Sequence, residues 1–452
     1  MKKIAFFTNK FVAGGLEKSL LELIDVIDPK QYEITVFLSN ADGEWTHLLE
    51  KKARIVVLEQ ENFGFLIKKH LKKFDLVKLL KLLIFRVKAT ISSKKNYYEG
   101  LKYRTKSMTS YPEQFDAAIV YQAFDVNSVA NCLYRTSAHK KVLWVHQSFN
   151  IFNPGFNYWY SDFDKVFCVS QCLKAEIQAR FPKLSCKADV FYNITNPNHI
   201  KQLADEHPLE LKTREKQVVL VTVGRISKEK GQAIIPQVAD LLLKKGHKFI
   251  WYLIGEGPSE EEVKEKIKQY GVSDNVVLCG RKDNPYPYIK NCDIYVQTSK
   301  TEGWGLTVSE AKILKKPIVT TDAGVMSEQI ETGVNGIITE NDSAEEICNG
   351  IEQLIVNLDL RKSFIKALEK ENADDNKNIR NEASLAGGRA TINKADNGAI
   401  MSRPTKEELE TLEPITSKFG KPNLVTDIFK VRSGEWTQVR IWSIADLGRM
   451  KR

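Results

Sequence analysis

Two glutamates, separated by seven residues, lie in the stretch of the chain best suited to chemistry. Glu302 and Glu310 follow an apolar run at 293–297 that predicts a β-strand, and a helical pattern begins at Leu306 after a turn that contains two glycines. Open α/β sheets bind ligands at the carboxyl ends of their strands. The free N–H groups and positive potential of a helix N-terminus suit a phosphate. From the spacing alone, the segment could equally be an ordinary strand-to-helix turn with two solvated glutamates.

Two further turns carry residue types that fit a phosphate ligand. Gly14 and Gly15 open a predicted helix shortly after the first strand, and glycine lets the backbone approach a ligand closely. Arg225 and Lys230 flank another turn after a strand; an arginine can fork onto diphosphate oxygens and a lysine supplies a point charge. The alternative for Gly14 and Gly15 is a plain strand-to-helix turn, and the alternative for Arg225 and Lys230 is a solvated basic loop.

One histidine follows a predicted strand of the first half. His146 comes after the run 141–145, where a single histidine is by itself most often structural. The chain has no evident Ser-His-Asp or Cys-His arrangement and no Asp-x-Asp metal motif. We therefore expect the charge of a diphosphate to be met by Arg225, Lys230 and helix N-termini rather than by Mg²⁺.

Strands and helices alternate along most of the chain, which predicts parallel sheets covered by helices. The pattern restarts after a polar stretch at 196–216, and so predicts two such sheets joined by a linker. The predicted strands are 4–8, 34–38, 54–58, 117–121, 141–145 and 165–169 in the first half, and 217–223, 249–254, 276–279, 294–297 and 317–320 in the second.

Three of these motifs resemble those of retaining nucleotide-sugar glycosyltransferases of glycosyltransferase family 4 (glycosyl transferases group 1). Residues 302–310 resemble the family's Glu–seven–Glu motif, 224–231 its G-R-x-x-x-x-K-G signature, and Gly14-Gly15 its N-terminal glycine loop. The resemblance covers roughly residues 1–370. It implies the α/β GT-B fold, in which two Rossmann-like parallel-sheet domains face each other across a cleft.

The resemblance also implies a division of labour between domains. Residues 1–205 are expected to bind the acceptor and residues 206–370 the nucleotide sugar, while 371–452 form an unassigned polar tail or a small added module. The site residues implied by the resemblance are Glu302 and His146 in catalysis, and Gly14, Gly15, Arg225, Lys230, Gly303, Trp304, Gly305, Leu306 and Glu310 in donor binding.

The implied reaction moves a hexose from a nucleoside-diphosphate sugar, with a UDP-sugar favoured, to a surface polysaccharide or a lipid-linked glycan with retention at the anomeric carbon. Glu302 is expected to orient the sugar hydroxyls and Glu310 to accept hydrogen bonds from the ribose, with His146 beside the sugar and the β-phosphate. Neither glutamate acts as the acid–base pair of a glycosidase. No metal or cofactor is expected.

Two other functions remain open. The acceptor could be soluble or a teichoic polymer rather than lipid-linked. A catalytically silent protein that binds sugar nucleotides, or a scaffold, belongs to a different class. The intact set of Glu302, Glu310, Arg225 and Lys230 argues against silence.

Composition narrows the partners and the compartment. The 452 residues carry a net charge of +10, which favours anionic partners such as nucleotides or phospholipid headgroups. Nucleic acid is not expected, because no binding motif accompanies the charge. Seven cysteines without a C-x-x-C pair indicate reduced thiols, and the first apolar run is too short for a signal peptide. We expect a cytoplasmic protein.

A basic amphipathic stretch at 65–88 predicts a helix with apolar residues on one face. Lysines, among them Lys68, Lys69, Lys72 and Lys73, lie largely around that face. The pattern suits the anionic surface of a membrane and predicts peripheral attachment at its inner face. The alternative is a helix packed on the core with a solvated basic face.

Overall fold

The computed structural model describes residues 1–58, 66–68, 71, 76–148, 159–206, 217–340, 342–385, 399–402, 425–432 and 435–442. Two parallel sheets, one of seven strands and one of six, organise two α/β domains. Each domain has its own buried core: one apolar cluster fills the first domain, and two clusters lie on the two faces of the second sheet.

The first sheet has the strand order β3-β2-β1-β4-β5-β6-β7. Its central strands are near-continuous apolar runs, because helices cover both faces of a parallel sheet. The strands are β1 Lys2–Lys10, β2 Tyr32–Asn40, β3 Arg54–Val57, β4 Gln114–Val120, β5 Ser137–Val145, β6 Lys165–Cys168 and β7 Ala188–Val190. The helices are Gly15–Val26, Thr46–Glu50, Leu76–Lys95, Tyr97–Lys106, Val126–Tyr134 and Gln171–Arg180, with a 3-10 turn at Pro182–Leu184.

The second sheet has the order β10-β9-β8-β11-β12-β13. Its strands are β8 Val218–Val223, β9 Phe249–Ile254, β10 Val276–Leu278, β11 Ile294–Gln297, β12 Ile318–Thr321 and β13 Ile337–Thr339. Its helices are Ile235–Lys244, Glu260–Gln269, Tyr286–Asn291, Leu306–Ile313, Ala344–Val356 and Leu358–Leu385, with 3-10 turns at Gln232–Ile234 and Met326–Glu328.

The predicted polar linker at 196–216 is wrong over its first half. Residues Pro197–Glu206 form a helix, and Ile200 and Ala204 are buried in a core cluster of the second domain. These two residues are four apart, so they share one helix face. The other residues of the segment are mostly polar, and its overall composition therefore gave no sign of a packed helix. Residues 207–216 lie outside the described part.

The last helix extends beyond the predicted start of the tail at residue 371. Helix Leu358–Leu385 buries Phe364 and Leu368, and Glu371 pairs with Lys312 at 3.1 Å. Further on, β14 Ala399–Ser402, β15 Val425–Arg432 and β16 Glu435–Trp442 form an antiparallel three-stranded sheet. The predicted parallel alternation thus ends with the second domain, and an antiparallel element follows it.

The basic amphipathic stretch contains a helix that ends at Lys95, beyond the predicted limit of 88. Phe65, Lys69, Lys72 and Lys73 lie outside the described residues. Among the residues that are described, no helix has the length and apolar content needed to cross a bilayer.

Candidate functional site

The predicted site residues other than His146 follow strands that flank the reversal point of each sheet. In the second sheet β8 and β11 are neighbours whose connections run to opposite sides, and in the first sheet the same holds for β1 and β4. Such switch points open a crevice at the carboxyl ends of the strands, where ligands bind. Arg225 and Lys230 follow β8, Glu302 follows β11 and Gly14 follows β1.

Glu302 is buried and held by three donors. Its Oε1 accepts hydrogen bonds from Lys230 Nζ at 2.6 Å, Ser299 Oγ at 2.7 Å and Gln297 Nε2 at 3.0 Å. The carboxylate side chain is only 6% exposed. Within the described part of the chain, no donor reaches Oε2. The arrangement fixes the carboxylate through one oxygen and leaves the other for a ligand hydroxyl.

The basic loop after β8 is fastened to the turn after β11. Gly231 has φ +68°, and an ideal Cβ there would lie 2.1 Å from the carbonyl oxygen of Thr298. Thr298 Oγ1 donates to the Lys230 carbonyl at 3.0 Å. The Arg225 side chain is exposed and contacts no acceptor in the described residues. Lys230 therefore already pairs with Glu302 and would share its charge with a ligand, whereas Arg225 has no such partner in the described residues.

A third turn, after β9, uses its glycines for packing. An ideal Cβ on Gly255 would lie 2.0 Å from the Gly224 carbonyl oxygen, and one on Gly257 would lie 2.3 Å from that of Ile226. This turn therefore presses directly against the backbone that carries Arg225. Close backbone packing accounts for both glycines without a ligand.

Gly303 contacts the first domain at His146. An ideal Cβ on Gly303 would lie 1.7 Å from the His146 carbonyl oxygen, so only glycine allows this approach. The His146 ring packs against Tyr121, with centroids 4.4 Å apart, and its Nε2 is buried without a hydrogen-bond partner among the described residues. Burial lowers the pKa of His146 to about 3. The imidazole is therefore neutral at physiological pH, with one ring nitrogen unsatisfied.

The two glycine turns meet at the start of helix Leu306–Ile313. Gly305 caps this helix with φ +84°, and an ideal Cβ there would lie 2.7 Å from Met326 Cε. An ideal Cβ on Gly15 would lie 3.2 Å from Leu306 Cδ1. Gly15 of the first domain thus lies against the first residue of a helix of the second domain. The N-termini of the two helices, Gly15–Val26 and Leu306–Ile313, lie close together here.

Glu310 lies inside the same helix and pairs across the domain interface. Its Oε1 is hydrogen-bonded to Lys18 Nζ of the first domain and accepts from Tyr286 OH at 3.3 Å. The glutamate side chain is 5% exposed. Sequence reasoning missed Lys18 and Tyr286 as site residues, because each pairs with Glu310 only through the tertiary fold.

Trp304 packs between the domains. Its ring lies 4.6 Å from that of Tyr192, and it touches the apolar clusters of both domains. Nearby, both carboxylate oxygens of Glu328 accept from the N-terminus of helix Gln171–Arg180, at 2.9 Å from Gln171 N and 2.8 Å from Cys172 N. Glu328 was missed too, although a carboxylate suits the positive end of a helix.

All the predicted site residues thus line the carboxyl ends of the two sheets or the interface between the domains. Four of those in the second domain contact the first domain directly: Gly303, Trp304, Leu306 and Glu310. Arg225 reaches none of the other predicted site residues through its side chain. In the described residues, no group of three or more His, Cys, Asp and Glu side chains is placed to hold a metal. The expected absence of a metal or cofactor stays a prediction, as do the individual roles.

Comparison with known proteins agrees with this geometry. Residues 204–371, which include the second sheet, match the family described as glycosyl transferases group 1. An uncharacterized glycosyltransferase of Haemophilus influenzae is 25% identical over 368 residues, which covers 80% of this chain and 92% of that protein.

A second relative has a named activity. It is the N-acetylgalactosamine-N,N'-diacetylbacillosaminyl-diphospho-undecaprenol 4-alpha-N-acetylgalactosaminyltransferase of Campylobacter jejuni, 23% identical over 395 residues, or 85% of this chain and 98% of that protein. Among solved structures, HepE from Anabaena in complex with UDP and glucose superposes with a TM-score of 0.61 at 20% identity, covering 86% of this chain and all of that one. The predicted GT-B fold and the predicted enzyme class, a glycosyltransferase, are confirmed.

Proposed function

We propose that this glycosyltransferase moves a hexose from a UDP-hexose to a lipid-linked glycan or a surface polysaccharide, with retention at the anomeric carbon. The observation that carries the proposal is the meeting of the two switch points. Gly15 of one domain lies against Leu306 of the other, and Lys230 of the basic loop pairs with Glu302, four residues before Leu306. A diphosphate bound there lies between two helix N-termini and two cations.

Each predicted residue then has a defined task. Arg225 and Lys230 neutralise the diphosphate, Glu302 orients hydroxyls of the sugar, and Glu310 accepts hydrogen bonds from the ribose. Neutral His146 offers a ring nitrogen, and its neighbour Gly303 brings a backbone N–H close to the sugar. These groups stabilise charge that develops on the leaving phosphate.

The bond changes balance without an added base. The bond between the anomeric carbon and the β-phosphate oxygen breaks, and UDP leaves. The acceptor hydroxyl attacks from the same face and gives its proton to the departing phosphate oxygen. The named relative forms an alpha linkage on a diphospho-undecaprenol substrate, which supports both the lipid-linked acceptor and the configuration of the product.

The test is turnover of labelled UDP-hexoses and GDP-hexoses with three acceptors: an undecaprenyl-diphosphate glycan, a poly(ribitol phosphate) and a soluble oligosaccharide. We expect UDP release that depends on the lipid-linked acceptor, and an α-anomer in the product by NMR. Preference for either other acceptor would favour the alternative substrates. Binding of UDP without turnover on any acceptor would indicate a silent binding protein.

The helix Leu76–Lys95 supports attachment at the inner face of the membrane. One face is buried in the domain, with Leu82 and Ala89 at 2% and 4% exposure. The opposite face is apolar yet exposed: Leu80 is 60% exposed and Val87 57%. At 100° per residue, about 3.6 residues per turn, these two faces lie on opposite sides of the helix. The other exposed apolar residues on this helix are Leu76, Val77, Leu83, Ile84 and Ile91.

The sequence left two interpretations of this helix, a membrane-binding helix and a helix packed on the core, and the helix has features of both. It is packed on the domain along one face, and along the other it presents apolar side chains with the exposed Lys81 and Lys88 beside them. An exposed apolar face bordered by lysines is the composition that binds at the headgroup boundary of anionic lipid.

Replacing Leu80 and Val87 together by Asp should weaken binding to anionic vesicles at least about tenfold, since each buried aliphatic side chain contributes about 1.5–3 kcal/mol. Vesicle sedimentation measures the partition coefficient. The matched control replaces Val356 and Leu358 by Asp, two exposed apolar residues of the second domain, and should bind like wild type. Equal binding by all three proteins would contradict attachment through this face.

A further inference from the structure

Lys18 occupies an unusual position for a lysine, bridging two domains at the base of the proposed donor site. It lies on helix Gly15–Val26, directly after the Gly14-Gly15 turn. Its Nζ is hydrogen-bonded to Glu310 Oε1 and to Tyr286 OH, both of the second domain, and lies 4.7 Å from the centroid of the Tyr286 ring. Its side chain is 23% exposed, against 5% for Glu310.

A second carboxylate ties this cluster to the chain that joins the domains. Glu22, one turn further along the same helix, lies 3.9 Å from Lys18 through Oε1. Its Oε2 accepts the backbone N–H of Asn196 at 3.1 Å. Asn196 immediately precedes the helix that packs into the second domain. Lys18 therefore stands between a residue of the connection and a residue of the site.

The carboxylates around Lys18 favour its charged form. Burial alone lowers the pKa of Lys18, but Glu310, Tyr286 and Glu22 together raise it well above its ordinary value. Burial raises the pKa of Glu22 to about 7, against the opposing effect of Lys18. Lys18 is therefore a cation held between the carboxylates of Glu310 and Glu22, both of which have buried side chains.

We propose that Lys18 is a positioning residue for ribose recognition: it holds the Glu310 carboxylate through Oε1 and leaves Oε2 to accept a ribose hydroxyl. Both donors in the described part of the chain reach Oε1, so the carboxylate is fixed before a ligand arrives. Because Lys18 belongs to the other domain, Glu310 has its binding geometry only when the domains are together. This inference rests on the proposed function, in which Glu310 binds the ribose.

The consequence is that the first domain, which makes no proposed contact with the ribose, still determines how well the ribose is recognised. Removal of Lys18 leaves a buried carboxylate without its counter-charge. The carboxylate then keeps only Tyr286 as a donor among the described residues and turns toward it, and in that position it is a poorer acceptor for ribose hydroxyls.

The experiment is a comparison of two ligands, UDP and 2′,3′-dideoxy-UDP, by isothermal titration calorimetry. Wild type should bind UDP more tightly, because only UDP offers hydroxyls to Glu310. In Lys18→Met the affinity for UDP should fall about tenfold, to the affinity for the dideoxy analogue. A change of this size lies within the usual range of coupling free energies. The affinity for the analogue should not change. Lys18→Arg should restore part of the preference.

The matched control is Arg281→Met, which removes another ion pair between the domains, 2.7 Å from Glu44 Oε2. It should keep the preference for UDP. Loss of preference in both variants would mean that Lys18 acts only through general domain contact, and an unchanged preference in Lys18→Met would overturn the proposal outright. If wild type itself binds both ligands equally, or neither, the assignment of Glu310 and the proposed function fail instead.

Discussion

Replacing Glu302 by Gln should lower kcat for sugar transfer by about 10²–10³-fold, the usual loss when one preorganised electrostatic contact is removed. Glutamine keeps the size of the side chain, and Ser299 and Lys230 can still donate to its carbonyl oxygen. The lost feature is the negative charge beside the sugar, which matters most in the transition state. Steady-state rates with saturating UDP-hexose measure kcat.

Two further variants make this expectation specific. Glu310→Gln should raise the KM for the donor with a smaller change in kcat, because the ribose contact is present in the ground state as well. Glu340→Gln changes an exposed residue after β13 and should behave like wild type. A Glu302→Gln enzyme that turns over at the wild-type rate would remove Glu302 from the reaction.

Replacing Arg225 by Ala should weaken UDP binding by about 1.5–3 kcal/mol, the contribution of a hydrogen bond to a charged group. That loss corresponds to about a 10- to 150-fold higher Kd. The reason is structural: Arg225 is exposed at the switch point and contacts no described acceptor, whereas Lys230 is already paired with Glu302. Calorimetric titration with UDP measures the change.

Lys230→Ala is expected to differ from Arg225→Ala. It removes a cation and also strips the buried Glu302 of a partner at 2.6 Å, so both the UDP affinity and kcat should fall. Lys228, an exposed lysine of the same loop, provides the control, and Lys228→Ala should bind UDP normally. Wild-type affinity in both Arg225→Ala and Lys230→Ala would refute a diphosphate site in this loop.

Much of the fold could be predicted from sequence because parallel strands are apolar runs. The strand Phe249–Ile254 is buried at every position and has the predicted bounds. The strands that were missed in the two parallel sheets, Ala188–Val190 and Ile337–Thr339, have three residues each and lie at sheet edges. Runs this short carry little period, and of the three strands of this length in the two parallel sheets only Val276–Leu278 was predicted.

The site could be predicted only as separate motifs. Local order places Glu302 and Ser299 on one turn, and their spacing of three residues could have indicated the contact. The pairing of Lys18 with Glu310 joins positions 292 residues apart, and no local pattern encodes it. The same is true of Glu328, whose capped helix lies 157 residues earlier. Contacts between domains depend on how the finished sheets meet.

The continuity of the first sheet has a consequence for biosynthesis. All seven of its strands come from residues 2–190, with no strand borrowed from later in the chain. That sheet can therefore form on the ribosome while the second is still being translated. At about 5–20 residues per second, roughly 7–30 s pass between the synthesis of Val190 and that of β13. During this interval the surface of the first domain that will receive Glu328 and Trp304 is uncovered and open to chaperones.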